Sequence, residues 1–220
     1  MNIKNMDTFL EKRLSNYDKW LGEGKIKFSS KVVPINESIK SEKWVIPTEQ
    51  VLEILGNARS FALSKCECRS HYQRCDNPLE VCFLLDDTGD KLVKKGLARH
   101  IDIDEAANVL KKANENGLVH LSLYKPDHKV YALCSCCPCC CHDLRIIKLF
   151  NREDFLVRSE YISVTEMENC IHCGKCVERC IFDARTWKDD KMFYNVDDCY
   201  GCGLCVTYCP VEATVMQKNE

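Results

Sequence analysis

The chain has 220 residues, of which 45% are hydrophobic and 29% are charged, and its formal net charge is −2. This is an ordinary globular composition that allows one large domain or two small ones. Eighteen cysteines are unusual, but a secreted disulfide scaffold is normally shorter and Met1–Leu10 has no apolar signal core. No apolar run reaches the roughly 18 residues that a membrane span requires. We therefore expect a protein of the reducing cytoplasm that has no membrane partner.

Apolar periodicity predicts two helices in the first third of the chain. The first covers residues 7–21, where apolar side chains recur at three- and four-residue steps and would pack on the body of the protein. The second is predicted to begin at Thr48, a plausible N-cap after Pro47, and to run to about Ser64.

A first group of cysteines follows this second helix, at Cys66, Cys68, Cys75 and Cys82. Asp76 or Asn77 can cap a short helix that has Pro78 in its first turn. Such a helix would place Cys82 about two turns beyond Cys75.

A helix and a β-hairpin are predicted between the two front cysteine groups. Asp102 and Glu105 have the spacing of a capping box, and Asn116-Gly117 is typical of a helix end. The β-like runs Leu118–Tyr124 and Val130–Leu133 are predicted to pair. A helix followed by a hairpin also occurs in winged-helix regulators, so a redox-sensing regulator is one hypothesis.

The second strand of the hairpin leads into six cysteines within eight residues, and a helix is predicted from His142 onwards. The six are Cys134, Cys136, Cys137, Cys139, Cys140 and Cys141. We predict that the ten front cysteines bind at least one further iron–sulfur centre through a subset of their thiolates. The four early cysteines would bind it alone, with Arg69 offsetting its negative charge, or both groups would contribute. A zinc site, reduced structural thiols and a metal-ligating role for His142 are the alternatives.

Residues 170–209 contain the same cysteine pattern twice. Each copy has the spacing C-x2-C-x2-C-x3-C, and Pro210 follows the second. A tight CxxCxxC loop can wrap three thiolates around an iron–sulfur cube, while the fourth cysteine points away and serves the other cluster. This repetition disfavours disulfides and zinc. We predict two [4Fe–4S] clusters, bound by Cys170, Cys173, Cys176 and Cys209, and by Cys199, Cys202, Cys205 and Cys180.

The segment of roughly residues 161–217 resembles the bacterial ferredoxin domain with two [4Fe–4S] clusters, although Ile181 stands where the first repeat usually has Pro. The resemblance implies a pseudo-twofold fold, with a hairpin and a short helix in each half, and low-potential one-electron transfer. Roughly residues 48–142 resemble the front of uncharacterised 4Fe–4S binding proteins of anaerobes that carry a terminal ferredoxin domain. That second resemblance implies a shared module and no established reaction.

The charge distribution bears on partners. Residues 151–220 carry 13 acidic and 8 basic side chains, while the remainder carries 20 acidic and 23 basic. The acidic end is suited to a basic redox partner protein or a larger oxidoreductase complex. The front part is too weakly basic to indicate nucleic acid binding.

The predicted fold class is α+β. Residues 1–47 form an N-terminal helix and extension, residues 48–150 a cysteine-rich helical module with a β-hairpin, and residues 151–220 a ferredoxin-like domain. The predicted function is iron–sulfur electron transfer. The alternative is a reductase, in which the front cysteine cluster is the catalytic site for a small disulfide or sulfur-containing substrate supplied with electrons by the ferredoxin clusters.

Overall fold

The computed structural model describes residues 7–33, 47–127, 129–150 and 152–219. The chain divides into two compact units, neither of which is one continuous stretch of sequence. Unit 1 comprises Met1–Lys31, Ala58–Ile101 and Leu121–Val157, and unit 2 comprises Val32–Asn57, Asp102–His120 and Arg158–Glu220. Within the described ranges, every helix is too short or too polar to span a bilayer.

The elements mix helices and strands along the chain. The helices are α1 (Thr8–Gly22), α2 (Pro47–Asn57), α3 (Glu67–Tyr72), α4 (Asp86–Lys94), α5 (Ile103–Glu115), α6 (His142–Phe150), α7 (Lys175–Arg179) and α8 (Leu204–Thr207). The strands are β1 (Ser30–Val33), β2 (Phe61–Lys65), β3 (Glu80–Leu85), β4 (Ala98–His100), β5 (Val119–Tyr124), β6 (Val130–Cys136), β7 (Leu156–Val157), β8 (Tyr161–Thr165), β9 (Arg185–Lys188), β10 (Lys191–Tyr194) and β11 (Thr214–Lys218).

A seven-stranded sheet with strand order β4-β2-β3-β6-β5-β1-β7 lies mainly in unit 1. Strands β2, β3, β4 and β6 pair in antiparallel fashion, whereas β1 and β7 are parallel. The register of β3 and β6 sets Cys82 directly opposite Cys134. The sheet therefore joins the two front cysteine groups, which are far apart in sequence.

Several predicted elements of the front part are confirmed. Helix α1 begins after Asp7, whose carboxylate accepts the N–H groups of Phe9 and Leu10 at 3.1 and 2.9 Å. Its apolar face packs in a core of five buried residues, Leu10, Tyr17, Ile26, Ile146 and Phe155. Helix α6 begins at His142 as predicted, and β5 and β6 are neighbours in the sheet.

Two predicted helices of the front part were wrong in extent or in kind. Helix α2 ends at Asn57 instead of continuing to Ser64, because Phe61–Lys65 pairs with β3 and β4 as a strand. Thr48 lies in the first turn of α2, and its side chain is outside the described part. The predicted short helix after Asp76 is a strand instead, since the apolar run Val81–Leu85 is buried throughout, as expected of a central strand.

In unit 2, α5 confirms Asp102 as the N-cap of the predicted helix. The Asp102 carboxylate accepts the N–H of Glu105 at 2.7 Å, and Gly117 adopts φ +67° just beyond the helix. His120 follows on β5 and is buried, with its Nε2 2.6 Å from the side-chain oxygen of Asn114 on α5. Helices α2 and α5 contact one another in this unit.

The carboxy-terminal part of unit 2 contains two small antiparallel sheets. Strand β9 pairs with β10, and β8 pairs with β11. A helix of one turn or slightly more, α7 or α8, follows each CxxCxxC loop. The two cysteine repeats are therefore embedded in two similar strand–loop–helix–strand segments.

Candidate iron–sulfur sites

The two carboxy-terminal cysteine loops have the same backbone conformation. Positive φ angles occur at His172 and Gly174 in the first loop, and at the corresponding Gly201 and Gly203 in the second. At Gly201 a side chain is excluded, because a Cβ atom would collide with the backbone carbonyl of Tyr161. Each loop therefore curls around its cysteines and leads directly into a helix.

One cavity of unit 2 is lined by all four cysteines that the sequence assigns to the second cluster. They are Cys199, Cys202 and Cys205 of the second loop and Cys180, the fourth cysteine of the first repeat. Except for Cys180, which is partly exposed, these thiols are buried. Burial is the leading cause that raises the pKa of Cys202 and Cys205. A group of soft, buried thiols with few other partners suits iron–sulfur ligation.

Hydrogen-bond donors surround the Cys199 sulfur. The Gly201 N–H points at it from 3.4 Å and the Ser163 hydroxyl lies at 3.6 Å. Burial raises the pKa of Cys199, but hydrogen bonds, with that of the Ser163 backbone first among them, outweigh burial and lower the pKa overall. The site therefore stabilises a thiolate, the form in which cysteine binds metal.

Arg185 on β9 is a functional residue that the sequence reasoning missed. Its guanidinium is buried, donates to Thr165 and Ser163 at 2.9 and 3.0 Å, and lies 3.9 Å from the Cys176 sulfur. Burial lowers its pKa, but the thiolates of Cys205 and Cys176 raise the pKa above its ordinary value. One cation thus serves cysteines from both repeats. Arg185 is the first residue of the short strand RTWK, and nothing in that sequence indicated this role.

The cysteines assigned to the first cluster are more exposed. Cys173 is exposed, whereas Cys170, Cys176 and Cys209 are partly buried. Cys176 lies in the first turn of α7, and Cys209 follows α8, where its N–H donates to the Val206 carbonyl at 3.1 Å. Burial is the leading cause that raises the pKa of Cys176.

The ten front cysteines, all in unit 1, fall into two groups. The first group, called here the four-thiol group, consists of Cys75, Cys137, Cys139 and Cys140, whose sulfurs all lie within 4.8 Å of one another. The Cys75 sulfur is 3.7 Å from that of Cys137 and 4.0 Å from that of Cys140. Burial raises the pKa of Cys75, but the Asn77 N–H and neighbouring thiols outweigh it and bring the pKa to about 7.

The remaining six front cysteines, called here the six-thiol chain, are linked through successive contacts. In the order Cys141, Cys136, Cys134, Cys82, Cys66 and Cys68, each thiol lies close enough to the next to shift its pKa. Four of the six thiols are buried, at Cys66, Cys82, Cys136 and Cys141. The four early cysteines are thus divided, because Cys75 lies in the four-thiol group and the other three lie in the chain.

Arg69 is the buried cation of the front sites and is only 1% exposed. It donates to the carbonyls of Pro78 and Ser135, the latter at 3.2 Å, and lies 3.5 Å from the Cys137 sulfur. Burial lowers its pKa, but the Cys137 thiolate outweighs burial and raises the pKa overall, with Cys66 and Cys75 contributing further. The sequence reasoning identified this arginine correctly as a neighbour of the front cysteines.

A cavity of about 880 Å³ adjoins the six-thiol chain, and all six of its thiols line the wall. Ligand-binding pockets have volumes of roughly 300–1,000 Å³. His142 and Asp143 at the start of α6 also line it, and both are buried. Within the described part of the chain, His142 Nε2 and Asp143 Oδ2 have no hydrogen-bond partner. Asp143 is paired through its other oxygen, Oδ1, which lies 3.6 Å from the Arg13 guanidinium.

Comparison with known proteins identifies the carboxy-terminal segment. Residues 163–216 match a family described as a 4Fe–4S dicluster domain. No match to a curated protein was found. The matched residues contain both cysteine repeats, the cavity lined by Cys180, Cys199, Cys202 and Cys205, and Arg185. The match supports a ferredoxin-like 4Fe–4S domain in the carboxy-terminal part of the chain, with at least one [4Fe–4S] cluster, and it supports iron–sulfur electron transfer.

Proposed function

We propose that the chain is an electron-transfer protein with two [4Fe–4S] clusters in its carboxy-terminal domain and a third iron–sulfur centre in unit 1. The observation that carries the proposal is the cavity that Cys180 shares with Cys199, Cys202 and Cys205. This arrangement supports the crossed assignment, in which the fourth cysteine of each repeat serves the other cluster. The first cluster then takes Cys170, Cys173, Cys176 and Cys209.

Bound clusters of this kind supply one-electron exchange at low potential. The residues around them adjust that potential. Arg185 places a positive charge beside cysteines of both repeats, and the Gly201 N–H donates toward the Cys199 sulfur. Both features stabilise added negative charge and so favour the reduced state.

The third centre is proposed at the six-thiol chain. Its thiols spread along one wall of a cavity with a volume of about 880 Å³, which leaves room for a cluster of several irons. Arg69 brings a buried positive charge to this wall, and the register of Cys82 opposite Cys134 supports a site to which both front groups contribute. The acidic carboxy-terminal end is suited to a basic redox partner or to a larger oxidoreductase complex.

Anaerobic purification of the full chain followed by iron and acid-labile sulfide analysis tests the proposal. We expect about eight irons per chain from the carboxy-terminal domain and additional iron from unit 1. The double substitution Cys66→Ser and Cys82→Ser should remove only the additional iron. A colourless protein without sulfide would refute the electron-transfer function, and an iron content that this variant leaves unchanged would refute the third centre.

The reductase remains a second candidate because the cavity that adjoins the six-thiol chain has the volume of a ligand pocket. Two electrons from a reduced redox partner and two protons would convert one small disulfide into two thiols. His142 and Asp143 line the same cavity and are the candidates for relaying those protons.

Addition of cystine to the reduced protein discriminates between the two functions. Reoxidation of the iron–sulfur chromophore with release of two cysteines per cystine supports the reductase. A chromophore that stays reduced under these conditions supports a carrier alone.

A further inference from the structure

We propose that the four-thiol group binds a single zinc ion and is a metal site separate from the iron–sulfur centres. The proposal goes beyond the electron-transfer function, because the carboxy-terminal domain and the six-thiol chain do not depend on it. Its basis is the distances between the four sulfurs and the contacts around them.

The sulfur–sulfur distances match a mononuclear site. In a tetrahedral zinc site each Zn–S bond is about 2.3 Å long, so two sulfurs that share the ion lie about 3.8 Å apart. The Cys75 sulfur lies 3.7 Å from that of Cys137 and 4.0 Å from that of Cys140. All four sulfurs are within 4.8 Å of one another. The geometry is therefore already close to that of four ligands around one ion.

A cubane cluster requires wider spacing, because each of its four thiolates binds a different iron corner. Among the described residues, only the four-thiol group places three or more ligand atoms within 4.8 Å of one another. The eight cysteines of the ferredoxin-like domain form no such group, although they occur in the repeat that binds cubanes. The six-thiol chain forms none either. The four-thiol group differs from both in the spacing that a single ion needs.

The surroundings complete the site. Four thiolates around Zn²⁺ carry a net charge of about −2. Arg69 offsets part of this charge from 3.5 Å, and the side-chain amide of Asn77 donates to the Cys75 sulfur at 3.4 Å. Cys137 and Cys140 are buried, whereas Cys75 and Cys139 are partly exposed. Donors of this kind orient the ligands and stabilise their charge.

Four protein ligands leave no open position on a tetrahedral ion, which is the pattern of structural zinc. The ion would fasten the loop that carries Cys75 to the turn of Cys137–Cys140. In that turn the N–H groups of Cys140 and Cys141 point at the Cys137 carbonyl at 3.4 and 3.0 Å. The same short run contains Cys136 and Cys141 of the six-thiol chain. The two sets of thiols are therefore adjacent in sequence but share no cysteine.

Metal analysis of the full chain, purified without oxygen from cells supplied with both zinc and iron, tests the proposal. We expect about one zinc per chain, and absorption spectroscopy at the zinc edge should give four sulfur neighbours at about 2.3 Å. Both measurements use the unmodified protein. A protein without zinc, or zinc with nitrogen or oxygen in its first shell, would overturn the proposal.

A pair of matched variants locates the ion. The double variant Cys75→Ser and Cys139→Ser should not bind zinc, and its iron content should be unchanged. The control substitutions Cys66→Ser and Cys68→Ser, in the six-thiol chain, should leave zinc in place. Loss of iron from the first variant, or loss of zinc from the control, would show that the four-thiol group is part of a cluster. Neither result would affect the eight irons expected from the ferredoxin-like domain.

Discussion

The carboxy-terminal repeats and the front cysteines bring their thiols together in different ways. In the repeats, two short loops with the same backbone conformation each bring three cysteines together, so the site is encoded almost entirely by local spacing. In unit 1, cysteines from β3, β6 and the segments around α3 and α6 meet through strand register and turns. Cysteine spacing therefore predicts which thiols lie together only where a single local loop brings them together.

The largest expected effect tests whether the repeats exchange their fourth cysteines. The double variant Cys180→Ser and Cys199→Ser should lose about four irons, because both residues are assigned to one cluster. The double variant Cys180→Ser and Cys170→Ser should lose about eight, since it disrupts both clusters. Iron and sulfide per chain provide the measurement. The reverse ranking of the two losses would mean that each repeat binds its own cluster.

A second prediction concerns Arg69, a buried cation of unit 1. The substitution Arg69→Met removes the donor to the Pro78 and Ser135 carbonyls, and with it a buried charge that lies 3.5 Å from the Cys137 sulfur. The free energy of unfolding should fall by about 2–4 kcal/mol, as measured by anaerobic denaturant titration.

Arg74→Met is the matched control for this cation. Arg74 is exposed and donates to the Cys139 carbonyl at 3.3 Å, while its guanidinium lies over the Tyr72 ring. Its loss should cost less than about 1 kcal/mol. Equal losses in the two variants would contradict the role given to Arg69.

A third prediction concerns the pH dependence of stability that is caused by His120, a buried residue of unit 2. Burial lowers the pKa of His120 from 6.5 to about 4, so the folded state holds this imidazole neutral while the unfolded state binds a proton below pH 6.5. Above pH 6.5 the imidazole is neutral in both states and does not lower the free energy of unfolding. As the pH falls from 6.5 towards 4, the free energy of unfolding decreases by up to about 3 kcal/mol.

The variant His120→Gln keeps a donor for Asn114 and cannot titrate, so it isolates this effect. Denaturant titrations of both proteins between pH 7 and pH 4 should show a stability difference that shifts in favour of the variant as acid is added. A constant difference across this range would contradict the prediction.

The smallest effect concerns the potential of the carboxy-terminal clusters. Arg185→Met removes a buried positive charge beside Cys176 and Cys205, so reduction becomes less favourable and the midpoint potential should fall by on the order of tens of millivolts. Redox titration followed by electron paramagnetic resonance measures the shift. Lys188→Met removes an exposed charge from the same strand, and water should screen it to a much smaller shift. Similar shifts in both variants would remove Arg185 from the proposed role.

Local signals predicted the local parts of the molecule. The capping residue Asp102, the periodicity of α1 and the start of α6 at His142 could all be identified, because each depends on neighbours in sequence. The two cysteine repeats within residues 170–209 also depend on local sequence, since each loop conformation involves only residues of that loop. The family match to residues 163–216 rests on the same local pattern.

Long-range pairing accounts for what the sequence left open. Ala62 and Leu63 satisfy a helical pattern equally well, and only pairing with β3 and β4 makes them part of a strand. The division of the ten front cysteines had no sequence signal either. Cys134, Cys137 and Cys140 have the regular CxxCxxC spacing, yet Cys134 lies in the six-thiol chain and the other two lie in the four-thiol group. The contacts of Arg185 with Cys176 and Ser163 could be identified only from the fold.

The cross-strand pair of Cys82 and Cys134 has a consequence for biogenesis. Helix α4, strand β4, helix α5 and strand β5 are all synthesised between these two residues. A nascent chain that has emerged only as far as β3 therefore lacks six of the ten thiols of unit 1. If the proposed third centre forms in unit 1, it can take up iron only after β6 has left the ribosome and paired with β3, whereas the compact repeat near the carboxy terminus needs only its own few dozen residues.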